Sequence, residues 1–311
     1  MYQASADRYQ SIPYFSCGRS GLKLPAISLG LWHNFGDTAS YENMTRLVLT
    51  AFDNGITHFD LANNYGPKPG SAETNFGRIL KDNLLPYRDE LLISTKAGYD
   101  MWEGPYGNWG SRKYLMASLD QSLKRMHLDY VDLFYSHRYD PDTPLEETLQ
   151  ALVDIVRAGK ALYVGISRWP LSALSIAETY LRERDVPMLI YQGRLNLIDR
   201  APQDEGILNF CQEHGIGFIS FSPLAQGLLT DRYIDGIPSD SRMAKGRSPR
   251  PEMLTADIAG QLKLYHQEAS AQGLSLPEYA LRWILQQEGV TSVLVGASSV
   301  EQLKQNLRCT E

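Results

Sequence analysis

Roughly eight apolar strands alternating with amphipathic helices, reactive polar residues at the ends of successive strands, and apolar residues spread evenly over 311 positions predict an α/β fold of the (β/α)8 TIM-barrel class. The length suits a single barrel domain over residues 1–311. Hydrophobic residues make up 43% of the chain, enough for a large core, and no polar low-complexity tract interrupts them. Periodicity alone does not show closure, so an open doubly wound sheet is the alternative.

Short apolar runs around Gly18 and Gly21 predict an N-terminal β-hairpin over 14–24. Residues 26–30 read as the first core strand. Met44, Leu47, Val48 and Ala51 recur at helical spacing with Gly55 as a C-terminal cap, which makes 41–54 a helix, and a strand follows over 56–62. The unit then repeats: a helix from Ser71, strand 91–97, helix 113–126, strand 131–137. Thr143-Pro144-Leu145-Glu146 reads as a capping box with proline at the first helical position, and Gly159 as the end of that helix. Strand 161–167, helix 171–184, strand 188–193, helix 204–214 and strand 217–223 continue the series.

The pattern breaks at 224–252, a Gly-, Pro-, Ser- and Arg-rich stretch after strand seven, and loops of that length are usually functional or disordered. Helices 256–271 and 277–286, strand 292–296 and a helix from Ser299, whose Gln302 reads as completing a second capping box, end the chain.

A formal net charge of -6 leaves no basic footprint for nucleic acid, so an anionic ligand needs a local cluster of arginines. Cys17, Cys211 and Cys309 are odd in number and lack metal-ligand spacing, which fits inert thiols in a reducing compartment. The polar start of the chain and the absence of any long apolar window predict a cytoplasmic protein without a membrane span.

A parallel barrel carries its active site at the carboxyl ends of its strands. There the sequence places Asp60 and Tyr65, then Lys96, then His137 and Arg138, then Ser167 and Arg168, Gln192, Phe221 and Ser222, and finally Gly296 and Ser298. Asp60, Tyr65, Lys96 and His137 form a workable proton-donating set. A phenol is a poor acid at neutrality, but a nearby ammonium lowers its pKa, and Asp60 keeps a buried Lys96 charged. His137 donates to a substrate oxygen, and the set polarises a carbonyl for reduction. Taken singly, Asp60 also reads as a loop cap and His137 as a satisfied strand-end histidine.

Phe59-Asp60-Leu61-Ala62-Asn63-Asn64-Tyr65-Gly66, Ile93-Ser94-Thr95-Lys96, Tyr135-Ser136-His137-Arg138, Val164-Gly165-Ile166-Ser167-Arg168-Trp169 and Val295-Gly296-Ala297-Ser298 resemble, in order, the motifs of the aldo-keto reductase superfamily. The resemblance covers essentially the whole chain. It is greatest to the branch holding bacterial L-glyceraldehyde 3-phosphate reductases and the β-subunits of voltage-gated potassium channels. Leu31-Trp32-His33-Asn34-Phe35-Gly36 and Ser222-Pro223-Leu224-Ala225-Gln226-Gly227 point to the bacterial side of it.

The resemblance implies Tyr65 as general acid, Lys96 and Asp60 as its support, His137 as the carbonyl-orienting group, and NADPH as cofactor. No Gly-x-Gly-x-x-Gly fingerprint follows a strand. The family instead lays the cofactor across the barrel mouth, with Ser167 and Gln192 on the carboxamide, Phe221 on the nicotinamide ring, and Trp32, Asp60 and Arg168 nearby. Ser222, Leu224 and Gln226 line the pyrophosphate. Gly296, Ser298, Gln302, Gln305 and Asn306 surround the adenosine half, while Arg232, Ser241 and Arg242 belong to the long loop, with Arg242 on the 2′-phosphate.

Gln305 stands where the family commonly has glutamate, Arg232 where lysine is usual, and Gly193-Arg194-Leu195 where a proline and an aromatic are usual. The chain ends at Glu311, where relatives continue into a segment bordering the substrate, so either a more open substrate pocket or a truncated product is expected. Trp32, Tyr65, His137 and Trp102 shape the pocket for small aldehydes such as L-glyceraldehyde 3-phosphate and methylglyoxal, with Arg138 or Arg112 meeting a substrate phosphate. The alternative implied by the same branch is an NADPH-binding interaction module with little turnover. Relatives assemble as homotetramers or octamers.

Overall fold

Hairpin strands β1 (Tyr14–Ser16) and β2 (Lys23–Pro25) pair antiparallel ahead of eight parallel strands. These are β3 (Ile27–Gly30), β4 (His58–Asp60), β5 (Leu92–Ala97), β6 (Val131–Ser136), β7 (Ala161–Ser167), β8 (Met188–Arg194), β9 (Gly217–Phe221) and β10 (Val290–Val295). β9 pairs with β10 and β10 with β3, so the barrel closes and the open sheet is excluded. This computed structural model describes residues 2–239, 241, 243–244 and 249–311. Arg242 lies outside the described residues.

The helical ring consists of α1 (Tyr41–Asp53), α2 (Ser71–Ile79), α3 (Arg112–Met126), α4 (Leu145–Arg157), α5 (Leu171–Arg182), α6 (Ala201–Asp204), α7 (Ile207–His214), α8 (Ala256–Ala271), α9 (Leu276–Leu285) and α10 (Val300–Leu307). Helices α1 to α5 each bury the stripe their periodicity defines. In α1, Met44, Leu47, Val48, Ala51 and Phe52 face the strands, and Gly55 adopts the left-handed conformation expected just past the helix end. The hairpin seals the end of the barrel opposite the strand carboxyl termini. Leu24 and Cys17 pack with Leu92, Leu189, Ile190 and Ile219, and the Cys17 amide donates to Leu22 O across the turn.

Strand alternation sends every second side chain into the barrel. His58 and Asp60, Ser94 and Lys96, Tyr135 and His137, and Gly165 and Ser167 are thereby brought to one interior. Thr95 faces outward instead, where its hydroxyl donates to Glu73 of α2. Gly165 has a packing reason: a Cβ there would lie 2.5 Å from the Tyr135 ring, which fills that space.

Several local expectations are corrected. Thr143 does not cap α4: Pro144 is the N-cap residue, with no side-chain cap bond, and the Thr143 hydroxyl donates to Asp140 Oδ2 at 2.6 Å. Asp140 also accepts from the amides of Gly110, Asp142 and Thr143, so the threonine is drawn away from the helix. Gln302 likewise does not complete a box. Ser299 accepts from the Gln302 amide, but the Gln302 side chain accepts from Ser298 N. The true box is at α9, where Ser275 and Glu278 cap each other around Pro277. The single helix expected over 204–214 is divided by Gly206 (φ 76°) into α6 and α7. Strand β9 stops at Phe221, because Ser222 turns left-handed (φ 52°), and the described residues of the stretch that follows include 3-10 turns at Ala225–Gly227, Asp231–Tyr233 and Pro251–Met253.

Candidate active site

The interior polar residues converge at the carboxyl end of the barrel. Lys96, fully buried, donates from Nζ to Asp60 Oδ2 at 2.5 Å and to Leu61 O at 2.6 Å, and reaches the Tyr65 hydroxyl at 3.3 Å. The second carboxylate oxygen of Asp60 accepts from Ser94 Oγ at 2.7 Å and Gln192 Nε2 at 3.3 Å. A buried ion pair persists only when its remaining bonding capacity is met, and these contacts meet it. His137 stands 5.9 Å from Tyr65, ring centre to ring centre, and Trp32 stacks on the other side of Tyr65 at the same distance.

Burial has the largest effect on the proton positions, and the neighbouring charges modify it. Burial pushes the Tyr65 phenol well above its ordinary pKa of 10, and the Asp60 carboxylate adds to the shift. This corrects the expectation that Lys96 lowers it. The ammonium is committed at 2.5 Å to Asp60, which leaves a resting neutral phenol 3.3 Å away. Lys96 itself is lowered by burial, a shift that Asp60 opposes. Burial also lowers His137 well below 6.5, helped by the charges of Lys96, Arg168 and Arg138. The imidazole is therefore neutral near neutral pH. Its Nδ1 is buried without a partner, so the ring addresses the cavity through Nε2.

Below this cluster runs a chain of hydrogen bonds with no counterpart in the sequence reading. His58 bonds Ser94 Oγ through Nε2 and Ser28 Oγ through Nδ1, each at 2.9 Å. Ser28 meets Ser292 Oγ at 2.7 Å, and Ser292 can donate to Pro25 O. The chain holds Ser94 against Asp60 from inside the barrel. Only the apolar-polar alternation of His58 with Asp60 could have indicated it. Asn63 also acquires a role: its Nδ2 donates to the Tyr114 hydroxyl at 3.0 Å, and that hydroxyl donates to Tyr99 O. Tyr99 in turn borders His137 edge-on at 4.7 Å.

Burial lowers the His58 pKa from 6.5 to about 4. A depressed folded-state value means a stabilising contribution present above pH 6.5 and lost as pH falls towards 4. For a shift of that size it amounts to roughly 3 kcal/mol. Denaturant unfolding followed from neutral pH to about pH 4.5 should show this loss. A His58→Gln variant should show a shallower slope; His137, which shifts in the same direction, and the shifted carboxylates contribute to what remains.

Above the cluster opens a cavity of about 750 Å³, within the range of small-molecule and cofactor sites. Of the residues expected at the cofactor, Trp32, Asp60, Ser167, Arg168, Gln192 and Phe221 line it near Tyr65 and His137. Ser222, Leu224, Gln226, Arg232, Gly296, Ser298 and Gln302 line it as well. Ser222, Ala225 and Gln226 all have positive φ (52°, 45° and 61°). Such left-handed non-glycine residues cluster where a loop is shaped around a ligand. Ser241 is buried, accepts from Ala244 N and is not among the lining residues. Gln305 and Asn306 lie outside the lining; Asn306 is buried with Nδ2 unpartnered.

Three residues expected at the substrate lie elsewhere. The Trp102 ring packs on Tyr114 at 5.3 Å, away from the lining. Arg138 donates to Gly98 O and Asn108 Oδ1, both at 2.6 Å, and stacks on Trp109 at 3.5 Å. Arg112 pairs with Asp154 on the helical ring. The three cysteines are buried, with thiols pushed up to about 12, and are inert. Among the described residues no group of His, Cys, Asp and Glu could hold a metal, and no helix is long and apolar enough to cross a membrane.

The aldo/keto reductase family model matches residues 26–311. The chain is 54% identical over 312 residues to L-glyceraldehyde 3-phosphate reductase of Escherichia coli (strain K12), covering 99% of this chain and 90% of that protein. It is 55% identical to the protein of the same name from Escherichia coli O157:H7, with the same coverage. The catalytic-type cluster, the closed barrel and these likenesses agree, and the chain belongs to the aldo/keto reductase family of oxidoreductases.

Proposed function

We propose that this enzyme reduces small aldehydes to alcohols with NADPH, glyceraldehyde 3-phosphate and methylglyoxal among them. The observation that carries the reading is the Asp60–Lys96–Tyr65 chain beside a neutral His137 at the cavity floor. A nicotinamide dinucleotide suits the wall above it: Phe221, Gln192 and Ser167 line the same cavity as Tyr65, together with the polar residues Ser298 and Gln302. Arg232 in the lining, with Arg242 by resemblance, favours the 2′-phosphorylated form.

When bound, the cofactor supplies hydride to the carbonyl carbon. His137 donates a hydrogen bond to the carbonyl oxygen and fixes its position. As charge develops on that oxygen, Tyr65 gives up its proton to it, and the ammonium of Lys96 stabilises the phenolate left behind. The raised pKa keeps the proton on Tyr65 until that moment. Asp60 keeps Lys96 charged in a site that would otherwise neutralise it.

Steady-state kinetics with L-glyceraldehyde 3-phosphate, methylglyoxal and 4-nitrobenzaldehyde test the substrate assignment. The expected result is the highest kcat/KM for the phosphorylated aldehyde. Equal values for all three would remove phosphate recognition.

A further inference from the structure

With Arg138 and Arg112 engaged elsewhere, the cavity wall offers a different cation. Arg168 follows β7 between two buried residues, Ser167 and Trp169, yet its own side chain is exposed. Its backbone is left-handed, φ 60°, which a residue bearing a Cβ adopts only when its surroundings hold it there. The guanidinium lines the cavity and donates through Nη1 to the Tyr99 hydroxyl at 3.0 Å. Tyr99 in turn meets His137 edge-on at 4.7 Å, so the cation stands one phenol away from the group that orients the carbonyl.

Its charge also has no carboxylate partner among the described residues. Arg194, on the same wall, pairs with Asp199 at 3.3 Å, and Arg232 has a partner too. Among the described residues no carboxylate pairs with Arg168, and Tyr99 occupies only Nη1. The remaining guanidinium edge presents parallel N–H donors, the geometry that suits a phosphate. The charge is close enough to lower the pKa values of both Tyr65 and His137, against the larger effect of burial on the phenol.

We propose that Arg168 is the specificity residue for a phosphate monoester carried a short carbon chain from the aldehyde, with Tyr99 holding the guanidinium in place. This inference rests on the carbonyl-reductase reading. An uncharged aldehyde of the same length leaves the guanidinium edge without a partner.

The test compares glyceraldehyde 3-phosphate with glyceraldehyde in the wild type, Arg168→Met and Arg168→Lys. The ratio of the two kcat/KM values should fall about 10- to 100-fold in Arg168→Met, as for a lost charge-assisted contact. Lysine should restore part of it by charge alone. A contact made to the cofactor only would lower both activities together and leave the ratio unchanged, which would overturn the inference while the reading stands. Calorimetric binding of glycerol 3-phosphate to the protein as purified gives a readout independent of turnover and should weaken at least tenfold in Arg168→Met. If the wild type turns over neither aldehyde, the reductase reading falls; weakened glycerol 3-phosphate binding then still upholds the anion site, and unchanged binding removes it.

Discussion

Tyr65→Phe should lower kcat for aldehyde reduction by about a thousandfold, as expected when a positioned general acid is removed. The substitution takes away one hydroxyl whose protein contact is Lys96 Nζ at 3.3 Å. The ring contacts with Trp32 and His137 do not need that hydroxyl. The thermal midpoint and NADPH affinity should therefore change little while kcat collapses. Parallel loss of cofactor affinity would instead make Tyr65 a binding residue.

Lys96→Met should be the most destabilising single change in the site, by about 3–5 kcal/mol, because it leaves the Asp60 carboxylate buried without its cation. Activity should fall with it, since the phenolate formed at Tyr65 loses its neighbouring charge. The double variant Asp60→Asn/Lys96→Met removes both charges and should recover much of the stability without recovering activity. Urea unfolding of the wild type, both single variants and the double variant supplies the cycle. If the double variant were as unstable as Lys96→Met, the cost would lie in packing around the lysine stem rather than in the orphaned charge.

How far the chain could be read from its residues depended on the range of the forces involved. The strand-helix alternation is local and repeats, so element order and most boundaries were legible; closure was not, because it depends on pairing between β3 and β10, at opposite ends of the chain. That the polar residues at strand ends would come together was legible because barrel geometry gathers strand ends. Competition between partners was not legible. Thr143 carries a capping pattern, yet a nearby carboxylate, Asp140, takes its hydroxyl, whereas Ser275 has a clear path to Glu278.

The same limit applies inside the site. Arg138 follows the histidine directly in sequence but is held by a carbonyl, an amide and an indole, while Arg168 from the next strand faces the cavity. The direction of the Tyr65 shift was misjudged because the pairing of Lys96 with Asp60 is readable in the motifs, but the burial of the phenol, which raises its pKa, depends on tertiary packing and is not. His58 was read only as part of a strand, since its two serine partners come from β3 and β5.

The most direct test of the central claim is a count of turnovers. The purified protein is mixed with excess NADPH and L-glyceraldehyde 3-phosphate, and loss of the reduced-nicotinamide absorbance is followed. A proton donor at Tyr65, supported by Lys96 and Asp60, predicts oxidation of many molar equivalents of NADPH per chain. Tight NADPH binding with no more than one equivalent oxidised would contradict it and would favour a cofactor-binding interaction module.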